Sequence, residues 1–469
     1  MIRVRYAPSP TGDPHIGNMR TALFNFLYAR KMGGKLILRI EDSDRSRVVK
    51  GSDKRIIDSI KLLGLEFDEG PFYQSRNLPA YQDAAEELVE AGKAYYCFCS
   101  VLRLEELRRA QESRGESTHY DQKCRYIPLA VSKQRIKEEE YVIRFATPEN
   151  IEIKFDDIIY GSISFHSSNI DDFVIIKSDL FPTYHLAAMV DDHFSEISHV
   201  IRADEWISST PKHILLYQSF AWEPPMFAHL PIILGPDRTK LSKRHGAVSV
   251  LELIDQGYLP SALINFMALL GWSGDNSQEI FSLSELCEKF TLDKVNRAQP
   301  IFDFQKLDWV NHQYLNKLPD YRYLYYIKNH IDRENIKGLS GDLQHLIPAL
   351  KQRLNKASEI KESEWAFAFT ENLIYENALL IPEHSDKEKT LSALKLCIDK
   401  WGEIKEWRMD DIKTVLDGNT LGLNNQELFW PMRVALSGQK NSPPIWDMAL
   451  FLGKDKSLSR LKKALQKLV

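Results

Sequence analysis

The stretch Ile2-Arg3-Val4-Arg5-Tyr6-Ala7-Pro8-Ser9-Pro10-Thr11-Gly12-Asp13-Pro14-His15-Ile16-Gly17-Asn18 decides how the rest of the chain is read. Ile2 to Tyr6 is a short strand, and the Pro/Gly-rich run from Ala7 to Gly17 is a turn that opens into a helical pattern from Asn18 to Lys31. Gly33 and Gly34 end the helix, and a second strand, Lys35 to Ile40, closes on Glu41 and Asp42. Strand, glycine-containing turn, helix, strand begins a nucleotide-binding α/β unit, in which ligands collect at the carboxyl ends of the strands. The chemistry is therefore expected at the turn. Prolines stiffen it, Gly12 and Gly17 remove side chains, and His15 arrives at a helix N-terminus, where free N–H groups and the helix dipole favour phosphate. Taken alone, a His-x-Gly pair is more often a rigid capped turn than a catalytic one.

Working outward, the character changes from about residue 75 to 180. Tyr95 to Cys99, a charged helix near Leu102 to Arg114 and alternating runs such as Tyr141 to Phe145 read as an insertion. Apolar strand patterns at Phe173 to Ile176, Ser198 to Ile201 and Pro231 to Leu234 are expected to complete the first sheet. Beyond Leu251 the spacing is helical to the end, as in Leu458, Leu461, Leu465 and Leu468.

The 469 residues, 43% of them hydrophobic, leave room for three or four domains. No run approaches the roughly 18 apolar residues of a membrane span. No signal peptide or membrane partner is expected, and the expected location is cytoplasmic. With 61 basic against 65 acidic residues the net charge is −4, so any contact with nucleic acid must come from local patches. Five cysteines are too few for a disulfide scaffold, and only Cys97, Cys99 and Cys124 lie close enough in sequence to raise a metal question.

Lys240-Leu241-Ser242-Lys243-Arg244, bracketed by Gly235 and Gly246, suits a clamp on triphosphate, although such a loop alone is more often a solvated surface. Paired with His15-Ile16-Gly17-Asn18, it resembles the two signatures of class I aminoacyl-tRNA synthetases. Arg39-Ile40-Glu41-Asp42-Ser43-Asp44, the run from Phe181 to His193 and Val200-Ile201-Arg202-Ala203-Asp204-Glu205-Trp206 narrow the resemblance to bacterial glutamyl-tRNA synthetases. The likeness runs from Met1 to about Trp309 and continues more weakly to Val469.

The resemblance implies an α/β Rossmann-like catalytic domain in two halves, 1–75 and 181–235, around an α+β acceptor-end insertion, 76–180. A stem-contact domain (236–312) and an all-α anticodon-binding region (313–469, in subdomains 313–375 and 376–469) would complete the chain. The implied reaction activates L-glutamate with ATP and Mg²⁺, once tRNA is bound, and passes it to the terminal adenosine of tRNA(Glu), with tRNA(Gln) an open second acceptor. His15 and Lys243 would be catalytic; Thr11, Gly12, His15, Gly17, Asn18, Trp206, Lys240 and Lys243 would bind ATP. Arg5, Tyr184 and Arg202 would face the side-chain carboxylate, with Ser9 and Glu41 at the amino-acid end. Ala188 departs from the asparagine common in the family. A structural Zn²⁺ would use Cys97, Cys99, Cys124 and either Tyr120 or His119, because the position two residues after the last cysteine is Tyr126. Lys351 and Arg353 would read the anticodon, and a monomer is expected. The rival readings are a shorter enzyme that glutamylates a modified tRNA base and an inactive RNA-binding paralogue.

Overall fold

In the computed structural model the residues described are 1–242, 245, 249–274, 277–330, 347–361, 363–370, 372–416 and 422–469. β1 (Arg3–Tyr6), α1 (Ile16–Lys31) and β2 (Lys35–Ile40) form as the sequence suggests, with α1 starting two residues earlier than its apolar pattern. The early start comes from His15, which caps the helix by accepting a hydrogen bond from the Gly17 N–H at 3.1 Å. Ile16, Met19, Leu23 and Leu27 fall three or four apart and are fully buried, so one face of α1 packs on the sheet.

Two units divide the chain: Met1–Leu253 with Pro260–Phe304, and Ile254–Leu259 with Gln305–Val469. In the first, β1, β2 and β3 (Glu69–Tyr73) are parallel, with α1 between β1 and β2, α2 (Ser52–Leu62) between β2 and β3, and α3 (Leu78–Glu90) after β3. A smaller antiparallel sheet joins β4 (Ala94–Cys97), β5 (Val142–Phe145) and β8 (Val174–Ile176), with α4 (Val101–Ser113) and α5 (Leu129–Arg135) between β4 and β5. β6 (Glu152–Asp157) and β7 (Gly161–His166) form a hairpin. After α6 (Tyr184–Phe194) the chain returns through β9 (His199–Ala203), α7 (Thr210–Ser219) and β10 (Met226–Leu230), in sheet order β7-β6-β10-β9. β9 lies beside β1: the Ser198 N–H donates to the Arg3 carbonyl at 2.9 Å.

Two strand expectations need correcting. Phe173 to Ile176 does not complete the first sheet; it pairs with β5 in the smaller one. The last parallel strand is Met226–Leu230, and Pro231 to Leu234 is the segment after it. Proline has no N–H for a ladder, so the strand stops before Pro231.

Helices close the first unit: part of α8 (Val250–Asp255), then α9 (Pro260–Leu269) and α10 (Leu283–Lys289). Helix α1 packs on both α9 and α10, with Phe24 and Phe290 centroids 4.9 Å apart. The second unit is helical: α11 (Phe304–Lys317, of which Gln305 onward), α12 (Asp320–Lys328), α13 (Ile347–Arg353), α14 (Lys387–Glu403), α15 (Met409–Thr414), α16 (Asn425–Ser437) and α17 (Ile445–Leu468). α14, α16 and α17 pack around the fully buried Trp401, Met432 and Leu461. No described helix is long and apolar enough to cross a membrane.

Gly257 sits at φ +90°, and a Cβ there would fall 2.7 Å from the Ala357 nitrogen and 2.8 Å from that of Ser358. Neither backbone can retreat without breaking the turn. Gly257→Ala should therefore destabilise the second unit by about 2–4 kcal/mol, from left-handed strain plus overpacking. Gly402→Ala, where nothing lies within 4 Å of the added methyl, should instead gain up to about 1 kcal/mol. Denaturant melts of the full-length variants check both signs.

Candidate active site

The carboxyl ends of β1, β2, β9 and β10 deliver the turn from Ala7, Glu41, Arg202 and Ile232 to one edge of the sheet. The turn is pinned there: the Glu41 N–H donates to the Pro8 carbonyl at 3.0 Å, and the Gly12 N–H to Ser52 Oγ at 3.1 Å. A cleft of about 480 Å³ opens above it, lined by His15, Gly17, Asn18, Ala203, Glu205 and Lys240 among others. Any Cβ on Gly17 would sit 3.0 Å from His15 Cε1, so glycine is what lets the imidazole fold over the helix start. Partial desolvation in the cleft, then the Lys240 ammonium, hold His15 below the ordinary histidine value. A neutral imidazole can still donate to phosphate oxygen from the nitrogen that Gly17 leaves free. Lys240 is exposed and ion-paired with Glu205; Ser9, Thr11 and Asn18 are also exposed. Lys243 and Arg244 lie outside the described residues.

Beside this cleft is a buried cluster of polar and charged side chains. The Tyr184 hydroxyl accepts from Arg202 Nη1 at 3.1 Å, its ring lies 4.3 Å from that of Trp206, and Arg5, Glu41 and Asp192 are near enough to act on it electrostatically. Arg5, Glu41, Tyr184 and Arg202 therefore come together from four segments of sequence. Arg5 is already engaged, donating to Asp192 Oδ1 at 3.1 Å. Arg39 donates to the same oxygen at 2.7 Å and to Glu41 at 3.0 Å. Burial pushes the Glu41 carboxyl above its usual value despite the opposing charges of Arg39 and Arg5. Arg202, 5% exposed, has no carboxylate partner among the described residues. Its donors meet His229 at 3.1 Å, Tyr184 and Thr210 at 2.8 Å. Ala188 is buried in α6.

In the insertion, the Cys97, Cys99 and Cys124 sulfurs all lie within 4.8 Å of one another, and no histidine or carboxylate joins them among the described residues. Tyr120 Oη is 3.3 Å from Cys97 Sγ and 3.4 Å from Cys99 Sγ, and Cys99 and Cys124 are 3.7 Å apart. Zn–S bonds of about 2.3 Å at tetrahedral angles give S–S edges of roughly 3.8 Å, so the donor set fits a zinc ion. The main chain of His119 is bonded to Gln111 and its ring stays out of the group, which leaves Tyr120 as the better-placed of the two candidates.

In the second unit, Lys351 is held by Asp320 at 2.9 Å and by the Leu318 carbonyl at 2.8 Å, so most of its donor capacity is spent inside the fold. Arg353 is more exposed and pairs with Glu364.

Comparison with known proteins gives this arrangement its context. A family model for the catalytic domain of class I tRNA synthetases (E and Q) matches residues 1–309, and an anticodon binding domain model matches residues 294–465. A glutamate–tRNA ligase from Dehalococcoides mccartyi is 43% identical over 482 residues, spanning 100% of this chain and 98% of that one. The chain belongs to the glutamate–tRNA ligase family of class I synthetases. A relative from Alkaliphilus metalliredigens with the same name is 39% identical over 500 residues, 100% of this chain and 99% of its own. Among solved structures, the glutamate tRNA ligase of Elizabethkingia meningosepticum, determined with its amino acid, superposes with a TM-score of 0.84 at 31% identity and full coverage of both chains. The family's α/β catalytic fold followed by helical domains is the one the motifs imply.

Sequence reasoning assigns no role to Asp192, Arg39, His213 or His229. Asp192 does stand in the run Val190-Asp191-Asp192-His193, and two adjacent acids in an otherwise apolar helix are a signal that cations must meet them. Burial alone would raise the Asp192 carboxyl, but Arg39 and then Arg5 outweigh it and hold it below the usual value of 3.8. A depressed carboxylate contributes stability that is fully present above its unfolded value and is lost as pH falls through the folded one. Asp192→Asn should thus cost roughly 3–5 kcal/mol at neutral pH, since buried Arg5 loses its counter-ion and Arg39 keeps only Glu41 and Asp191. Thermal melts from pH 7 to 2 should show that gap constant down to 3.8 and narrowing below it; a gap that stays constant to the acid end would contradict the assignment.

Proposed function

We propose that the chain activates L-glutamate as its adenylate and transfers it to the terminal adenosine of tRNA(Glu). The observation carrying this reading is the uneven charge of the buried cluster: Arg202 is a guanidinium with only neutral partners among the described residues, and Glu41, beside Arg39, is an acid that burial raises above its usual value. A substrate with an ammonium at one end and a second carboxylate at the other corrects both. Arg202, Tyr184 and Arg5 would take the side-chain carboxylate, and Ser9 and Glu41 the amino-acid end. The α-carboxylate attacks the α-phosphate of ATP and pyrophosphate leaves, so the protein supplies placement and charge stabilisation. His15 and Lys243 would meet the transition-state charge; Thr11, Gly12, Gly17, Asn18, Trp206 and Lys240 would hold the nucleotide. Mg²⁺ would arrive on the triphosphate, in keeping with its preference for phosphate oxygens and water. Residues 313–469 would read the anticodon, Arg353 being better exposed for this than Lys351, and the division at 75, 180, 235 and 312 is proposed with it.

The tests are direct. ATP–pyrophosphate exchange should require glutamate and be stimulated by tRNA(Glu); exchange with no amino-acid requirement would defeat the reading. His15→Ala should slow exchange about a hundredfold while leaving tRNA affinity unchanged. Charging of tRNA(Gln) in the same assay would establish the second acceptor.

Zinc is proposed at Cys97, Cys99, Cys124 and Tyr120 as a structural ion that would fasten the start of α4 to the segment before α5. Elemental analysis of untagged protein should find one zinc per chain. Cys97→Ser should lose it and lower the melting temperature, while His119→Ala should keep it.

A further inference from the structure

We propose that His229, fixed in one tautomer by Asp157, is a positioning residue that aims Arg202 at the substrate's side-chain carboxylate without neutralising it; this rests on the reading of Arg202 above. The parallel register sets it up. Phe227 is the partner of Asp157 across β10 and β6, and His229 is the partner of Arg202 across β10 and β9. Three neighbouring strands therefore present carboxylate, imidazole and guanidinium in a row.

The row has a direction. The Asp157 side chain is fully buried, and its Oδ1 accepts from the Ile159 and Tyr160 N–H groups, both at 2.9 Å. Its Oδ2 accepts from the His229 backbone N–H at 3.0 Å and faces His229 Nδ1 at 2.7 Å. A carboxylate so surrounded by donors is an acceptor, which places the imidazole proton on Nδ1. Nε2 is then a bare lone pair, 3.1 Å from Arg202 Nε. Desolvation keeps His229 neutral, and His213, 3.4 Å from Arg202 Nη1, is lowered further by the same cause. Thr210 Oγ1 and Tyr184 Oη take the remaining inward N–H groups.

Arg5 and Arg39 show the alternative. Each touches Asp192 directly, and each spends its charge there. An acid placed directly on Arg202 would compete with the substrate and repel it. Moving that acid one imidazole ring away keeps the orientation and weakens the Coulomb competition by roughly half, since the energy falls with distance. The consequence is discrimination: an amide in place of the carboxylate gains little from an uncompensated guanidinium, so the contrast between glutamate and glutamine depends on Arg202 being held in place.

The experiment measures tRNA-dependent pyrophosphate exchange with glutamate and with glutamine on the full-length enzyme. His229→Leu should raise the KM for glutamate roughly ten- to a hundredfold, with kcat changed only a few fold, and lower the glutamate-to-glutamine preference by a similar factor. His229→Gln, whose side-chain carbonyl can accept from Arg202, should recover most of both. Equal losses of kcat for the two amino acids, with the preference intact, would mean a merely structural histidine and would overturn the proposal. Arg202→Lys separates the two layers. If it leaves the KM for glutamate unchanged, the underlying reading of Arg202 fails. If it raises that KM while His229→Leu does not, the positioning role fails alone. Should His229→Leu not fold, ¹⁵N NMR of the wild-type imidazoles decides: a neutral His229 ring protonated on Nδ1 is expected, and a ring protonated on Nε2 overturns the proposal.

Discussion

Asp192 sits at the end of α6 between two guanidiniums, Arg5 from β1 and Arg39 from β2, all three almost wholly out of water. Charges in that setting are costly to leave unpaired, and two cations converging on one anion fix each other's positions closely. Arg5 and Arg39 lie on paired strands before the insertion and Asp192 on the helix after it, so the contact ties the two halves of the chain on either side of the insertion to one point. Through Arg39, which donates to both Asp192 and Glu41, the end of β2 carrying Glu41 is tied to the end of α6, the helix that carries Tyr184.

Charge around the cluster is allocated unevenly as a result. Two of the arginines beside it are spent on the protein's own acids, and the third is steadied by neutral acceptors. Glu41 shares Arg39 with Asp192, and burial still holds its carboxyl above the usual value. The site is thus tense in the absence of substrate: Arg39 Nε is buried without a hydrogen-bond partner, and Arg202 has no opposing charge among the described residues. Such preorganisation costs folding energy and returns it as binding selectivity.

How much of this the sequence discloses depends on distance along the chain. The β1-α1-β2 unit is legible because periodicity and punctuation are local, and the His15 cap lies within the same turn. The motif residues Arg5, Glu41, Tyr184 and Arg202 are legible through family resemblance, since their common ground is visible only in the fold. Asp192 and His229 are not, because their partners lie 187 and 27 residues away. β8 reads correctly as a strand but in the wrong sheet, since an apolar run does not encode its neighbour. β10 escapes notice because His229 breaks its apolar run, and its proline boundary draws the eye to the segment after it. Lys351 is legible as a charge, yet its partner Asp320, 31 positions earlier, is not.

The adjacency of β9 and β1 carries a last consequence, for biosynthesis. The hydrogen bonds joining Arg3 to Ser198 close a loop of 195 residues. As the chain leaves the ribosome, β1 has β2 on one side and nothing to pair with on the other until Ser198 has emerged. At about 5–20 residues per second that interval is about 10–40 s. During it, the exposed edge of β1 is a strand looking for a partner, the kind of edge that invites association with other chains. The basic side chains of Arg3 and Arg5, which the finished enzyme pairs with Glu69 and Asp192, are also what keeps that waiting edge charged.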